Sequence, residues 1–364
     1  ARMPASWPSR DAFVAGVGEY LRSHAFGNGE LAEFIAAIED AAGRSLTAWS
    51  AAWLQTAGAD RIALEGDVLT RRAPADHPAD RPHTLDVAAF ADGREVARVD
   101  LVVSGDRTSV PGLADVPTGA LVVPNASDLT WAEVALDDAT IDALPGNLAD
   151  VPDACARSVV WGSLLGSVAR GEVDPRTVLS TFVAAWPRED SGAVLSRVSL
   201  LMTSQVVPLF LPPQEQEGAR AQIADSADAL LERSAGVEGV SGDALAVLAA
   251  RVWARTGVDE DRLRRWAAGD GIPAVLVGDD DFRWSVLRRL ATLGVLGDDE
   301  IAAAEAADRS LAGSLAALGV RAVRPTAQAK EWAWGRLRDD ADLSNYAALA
   351  IAGGFWTAPD AALL

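Results

Sequence analysis

Apolar residues recur every third or fourth position up to Gly58. They switch to every second position through Leu136 and return to helical spacing from Asp137 to the end. A helix buries a stripe of period 3.6 and a strand buries a face of period 2, so neither pattern can serve the other. The sequence therefore divides into a helical piece (1–58), a small β-unit (59–136) and a second helical region (137–364). The expected fold class is mainly α with a small β-domain: a three-helix piece, an antiparallel β-sandwich, then a HEAT-like α-solenoid.

The first piece reads as three amphipathic helices. "DAFVAGVGEYLRS" places Phe13, Val17, Tyr20 and Leu21 on one face. "HAFGN" breaks it, with Gly27 and Asn28 as the residues that tolerate a left-handed backbone. "ELAEFIAAIEDAAG" turns Leu31, Phe34, Ile35 and Ile38 inward and stops at Gly43. "SLTAWSAAWLQTAG" does the same with Leu46, Trp49, Trp53 and Leu54, closing at Gly58. In the β-unit, Leu85, Val87 and Ala89 alternate toward one face, Asp92-Gly93 signals a hairpin, and two further strands flank Asn125.

From Asp137 onward, start signals recur. Asp174-Pro175 gives an N-cap with proline in the first turn, and Asp243 and Asp298 open apolar runs. Gly171, Gly257, Gly269 and Gly294 are stops. Short helices joined by short loops stack as antiparallel pairs into an irregular solenoid. The tryptophans spread through this region, from Trp161 to Trp356, read as packing between layers.

Charge excludes some functions. With 32 basic and 52 acidic residues the net charge is −20, which repels phosphate backbones and anionic lipid heads. Neither nucleic acid nor a membrane surface is an expected partner. No stretch approaches the roughly 20 uninterrupted apolar residues of a membrane helix. "ARMPASWPSR" has no apolar run of a signal peptide, and Met3 is a possible start with nothing around it to support one. Cys155 is the single cysteine and reads as a small buried residue; a reducing, cytoplasmic compartment is expected.

Chemistry is sparse. Neither H-E-x-x-H, a P-loop nor G-x-S-x-G occurs. His77 and His83 lie in a proline-rich approach to a strand, where Asp76 or Asp80 is the nearest candidate for a third zinc ligand and turn chemistry is the simpler reading. His24 is separated by Gly27-Asn28 from Glu30 and Glu33, which suit a helix N-terminus. No acid pair stands out among the many carboxylates as a hydrolytic couple. "DDDFRWSVLRRL" places acids at a helix start and Arg283, Arg288 and Arg289 along it; the arginines read first as surface charges, and on the inner face of a solenoid they would instead grip a peptide carboxylate.

Several segments resemble the aminopeptidase N family of zinc aminopeptidases, in its actinobacterial branch. "DAF" opens a helix running to Tyr20-Leu21-Arg22 and His24, and Phe26–Asn28 stands where the family has "YGN". Ala42-Gly43-Arg44 matches its "SG+" stop, and Trp49, Trp53, Gln55 and Gly58 match its closing helix. "APADHPADRPHTLDVAAF" is similar to the first strands of the family's small β-domain. "LVVPNASDLTWAEVALDD" is similar to the hinge "N-x-x-D-L-T-Y-x-K", with Trp131 and Glu133 in place of Tyr and Lys. "DDFRWSVLRRLATLG", "RPTAQAKEWAW" and "AGGFW" are similar to its helical cap domain.

The resemblance implies the C-terminal half of such an enzyme. The family's zinc ligands, catalytic glutamate and stabilising tyrosine lie upstream of the "YGN" turn, so no catalytic or metal residue is carried over. Zinc and the catalytic and N-terminal domains would belong to the missing part of the same enzyme, and this chain alone would not hydrolyse peptides. The helical region would form a bowl over the zinc site and limit which peptide substrates enter, with Arg283, and more weakly Arg288, lining it. The alternative is a stand-alone solenoid scaffold that binds peptides or proteins. If 1–58 normally packs on a missing domain, it should expose an apolar surface, with Trp49 and Trp53 accessible.

Overall fold

The computed structural model describes residues 9–357; the N-terminal segment weighed above as a leader lies largely outside them. The chain is mainly helical with one small β-region and forms two compact units, Ala1–Ala185 and Trp186–Leu364.

In the first unit, three helices precede the strands: α1 (Arg10–Ser23), α2 (Leu31–Ala42) and α3 (Thr47–Leu54). Helices α1 and α2 pack closely because Gly16 has no side chain; a Cβ there would meet the Ile38 backbone at 2.7 Å. The left-handed residue between these helices is Phe26 (φ 61), not the expected Gly27 or Asn28. Its ring is fully exposed, so the turn is bought with a strained non-glycine residue.

Ile35, Ile38, Leu46, Trp49 and Trp53 form a small core. Trp49 and Trp53 are 8% and 4% exposed, which corrects the expectation that they would be accessible. The indole of Trp53 is closed off by the imidazole of His83, 4.9 Å away edge to face. The exposed apolar side chains of this piece are Val14, Leu21, Phe26, Leu31 and Leu54; three of these, Leu21, Leu31 and Leu54, were expected inward.

Seven strands follow: β1 (Asp60–Glu65), β2 (Val68–Arg72), β3 (His83–Ala91), β4 (Arg94–Val103), β5 (Arg107–Ser109), β6 (Leu121–Pro124) and β7 (Ala132–Ala135). They form two sheets, in orders β5-β2-β1-β7 and β4-β3-β6. Ile62, Leu64, Leu69, Leu85, Val87, Val103 and Val110 fill a shared core. The sandwich is antiparallel except for β1 with β7, which run parallel. Residues on both faces of β3 are buried, so the expected alternation is lost. At the β3–β4 hairpin, Asp92 and Gly93 both take positive φ (48° and 69°), the geometry a two-residue turn between twisted strands requires.

A buried cluster fastens α3 to the sandwich. Asp60 is fully buried; its Oδ2 accepts from Arg71 Nη1 (2.7 Å) and lies 3.1 Å from His83 Nε2, while Arg81 Nη1 donates to its Oδ1. Arg81 also donates to the Ala52 and Ala57 carbonyls (2.9 and 3.2 Å) and to Thr56 Oγ1 (2.5 Å) at the end of α3. Burial holds the His83 imidazole below its ordinary pKa despite the pull of Asp60, so it is neutral and bonded to Thr130 Oγ1 at 2.8 Å.

Asn125 (φ 57) makes the turn out of the sandwich. Its Oδ1 accepts from the Leu129 and Thr130 amides (2.8 and 3.2 Å), and its Nδ2 donates to the Thr130 carbonyl (3.0 Å). Helices α4 (Asp138–Asn147), α5 (Ala154–Ala169) and α6 (Pro175–Ala185) complete the unit. Asp137, Asp153 and Asp174 accept from first-turn amides, the last at the expected Asp-Pro start.

The second unit is helical: α7 (Gly192–Leu201), a π-helical continuation (Met202–Phe210), α8 (Pro213–Ser234), α9 (Val240–Thr256), α10 (Glu260–Ala267), α11 (Asp280–Thr292), α12 (Asp298–Ala307), α13 (Leu311–Val323), α14 (Ala327–Asp339) and α15 (Asn345–Phe355). Helix α9 begins at Val240, three residues before the expected Asp243. Helices α9, α11, α13 and α15 touch in succession, while α10, α12 and α14 each pack on the helix that follows. This is the two-layer stacking of a HEAT-like array. Gly192–Phe210 is long and apolar enough to cross a membrane by length and composition. It carries Arg197, buries Val194, Leu195, Val198, Met202, Val206 and Val207, and leaves Leu200 and Leu209 exposed.

Candidate functional site

The three histidines do not converge. His77 is exposed, and His83 is consumed by the Asp60 cluster. His24 Nε2 reaches Glu33 at 3.2 Å, so the turn at Gly27-Asn28 brings together two side chains that share no helical face. Glu33 also accepts from the Glu30 amide at 2.8 Å; that bond first, and His24 second, hold its carboxyl below the usual range. The arrangement caps α2 and supplies two side chains, too few for a zinc centre. Among the described residues no group of three or more His, Cys, Asp or Glu is placed to hold a metal ion. The described residues therefore do not fit a zinc site.

An open concavity lies in the second unit. It is a cleft of about 580 Å³ between the π-helical segment, α8, α9, α11 and the end of α15. One wall is apolar: Leu200, Val207, Pro208, Leu209 and Ile223. The other carries four arginines, Arg220, Arg255, Arg288 and Arg289. Val207, Pro208 and Leu209 of this wall belong to the π-helix, in which Pro208 has no amide hydrogen to continue an α-helical ladder. Such segments are rare and cluster at functional sites.

Two of the arginines share one carboxylate. Arg220 and Arg289 both pair with Glu217, at 2.7 and 2.8 Å. Arg289 is 3% exposed and also donates to the Gly257 carbonyl at 2.8 Å, so it is structural. Arg288 donates through Nη2 to the Gly353 carbonyl at 2.9 Å, and Arg255 is accessible within the cleft. Among the described residues neither Arg255 nor Arg288 has a carboxylate within ion-pair reach. Burial between the walls, then the nearby Arg255 cation, lowers the Arg288 pKa; burial and then Arg251 lower that of Arg255. Both stay charged at neutral pH.

Arg283 and Arg288 are five positions apart, which turns them to different sides of α11. Arg283 donates to the Ala267 carbonyl at 3.3 Å and lies near Asp308, away from the cleft. Of the two sequence candidates, the structure thus places Arg288 in this concavity and Arg283 outside it. Arg255 and the π-helix were not anticipated. "RVWARTG" offers only an arginine near a helix end, and "MTSQVVPLF" reads as ordinary helix until the packing is known.

The relatives of the chain are consistent. Residues 121–364 match the family model described as ERAP1-like C-terminal domain. The chain is 30% identical to "Aminopeptidase N" of Streptomyces lividans, over 96% of its own length and 43% of that protein's. A crystal structure of Legionella pneumophila aminopeptidase A in complex with aspartic acid superposes with a TM-score of 0.65, at 14% identity. That match covers 98% of this chain and 46% of that one. The chain thus spans less than half the length of either relative.

Proposed function

This chain belongs to the ERAP1-like C-terminal domain family, and from that premise we propose that it is the non-catalytic half of a cytoplasmic zinc aminopeptidase that removes N-terminal residues from peptides. The observation that carries the reading is the alignment of almost the whole chain with less than half of an aminopeptidase N. We assign 1–58 to the end of the catalytic domain, 59–136 to the β-sandwich and 137–364 to the helical cap. The cap encloses the active-site chamber, keeps bulk water from the chemistry and limits which peptides enter. Arg288 is a chamber-lining residue on this reading; Arg283 contributes only if it leaves the Ala267 carbonyl when the halves meet.

Zinc, which polarises the scissile carbonyl and generates the nucleophile in such enzymes, belongs to the upstream half. The exposed Val14, Leu21, Phe26 and Leu31 support an interface with that half, while the burial of Trp49 and Trp53 counts against it.

The test is an assay of this chain, alone and joined in frame to its upstream sequence, on aminoacyl amides and a peptide length series. Alone it should release nothing; joined, activity should depend on zinc and on peptide length. Zinc-dependent release by the isolated chain refutes the reading. Failure of the upstream half to associate, with peptide binding intact, points instead to a free-standing solenoid scaffold.

A further inference from the structure

We infer that the cleft of the second unit is a binding site for a carboxylate attached to an apolar body, with Arg255 and Arg288 supplying the binding charge. The inference starts from an imbalance. The chain carries 52 acidic against 32 basic residues, yet two neighbouring arginines in this cleft, Arg255 and Arg288, have no acidic partner among the described residues. Each cation disfavours its neighbour, and an arriving anion removes that repulsion while gaining attraction to both.

The hydroxyls lining the cleft cannot substitute as donors. Thr203, Ser204, Thr256, Ser285, Thr292 and Thr357 each donate to a carbonyl of their own helical turn, at 2.7–3.0 Å. The guanidinium groups are therefore the donors left for a ligand. Their planar fork matches the two oxygens of a carboxylate better than a point charge does. The facing Val207, Leu209 and Ile223 favour a ligand whose anion adjoins an apolar group. Arg288 is already oriented by its bond to Gly353, so little side-chain freedom remains to be lost on binding.

The inference deepens the access reading by naming what the cap would recognise, but binding is measured on this chain alone. Failure here therefore leaves that reading standing, and failure of that reading leaves a carboxylate site intact. Isothermal titration of the full chain uses N-acetyl-leucine as probe, with N-acetyl-leucinamide and inorganic phosphate for comparison.

N-acetyl-leucine should saturate one site, and the amide should bind at least about tenfold more weakly. Arg255→Gln should weaken the acid about tenfold without changing the melting temperature, because Arg255 makes no ion pair among the described residues. Arg255→Lys should recover only part of the loss, since the fork is gone. Equal binding of acid and amide, undiminished binding by Arg255→Gln, or no binding of the acid overturns the inference. Phosphate binding that N-acetyl-leucine cannot displace also overturns it, in favour of a phosphate site.

Discussion

Replacing Asp60 by alanine tests how the first three helices are held to the sandwich. Asp60 is fully buried and is the carboxylate shared by Arg71, Arg81 and His83. Arg71 would keep the Ala79 and Arg81 carbonyls at 3.3 Å and the exposed Asp80. Arg81, 1% exposed, would keep bonds only to α3, and its charge would be left buried without an anion.

Breaking a buried pair in this way costs about 3–5 kcal/mol, against at most about 1 kcal/mol for an exposed pair. That is a large part of the roughly 5–15 kcal/mol that stabilises a domain. With a urea m-value near 2 kcal/mol/M, the midpoint for the first unit should fall by roughly 2 M.

The assay is urea unfolding of the whole chain, followed by tryptophan fluorescence, with hydrogen exchange to assign each transition to its unit. The transition of Ala1–Ala185 should move and that of Trp186–Leu364 should not. Asp60→Ala combined with Arg81→Met should cost less than the sum of the two single changes, because the orphaned charge is then gone. A loss below about 1 kcal/mol, or strict additivity, would refute the view that one buried carboxylate fastens α3 to the strands.

Three further outcomes follow from particular contacts. Gly16→Val should destabilise the α1–α2 pair by about 1–3 kcal/mol in chemical denaturation, because the added carbon meets the Ile38 backbone. His83 titrates lower when folded than when unfolded, so the unfolded chain binds the extra proton; stability of the first unit should fall as pH drops below about 6.5, and His83→Phe should flatten that slope in a pH series of melts. Lys330, the single lysine, has its Nζ within 2.9–3.1 Å of the Ala322, Gly354, Phe355 and Thr357 carbonyl oxygens, which its three N–H donors share, and burial, then Arg288, push it down to about 8. An unfolded lysine titrates near 10.4, so stability of the second unit should rise between pH 8 and 10.4 by at most about 3 kcal/mol, and Lys330→Met should abolish the rise in alkaline melts.

Much of the architecture was decided locally. The change of period at Gly58 and again at Asp137 separates strands from helices because each element buries side chains at its own spacing. The Asp92-Gly93 hairpin and the aspartate caps of α4, α5 and α6 depend on residues within a few positions of each other. The quoted motifs around Phe26, Asn125 and Phe282 also carried the kinship, since they are contiguous strings.

What the sequence could not decide involves residues brought together from far apart. The burial of Trp53 depends on His83, the charge of Asp60 is divided among side chains from three places, and β7 returns to run parallel with β1. The cleft is the clearest case. Arg255 and Arg288 lie on different helices, and Glu217 from a third neutralises Arg289 instead of Arg288. Adjacent arginines have the same local chemistry, so only packing, which turns one into the core and the other toward the cleft, distinguishes their roles.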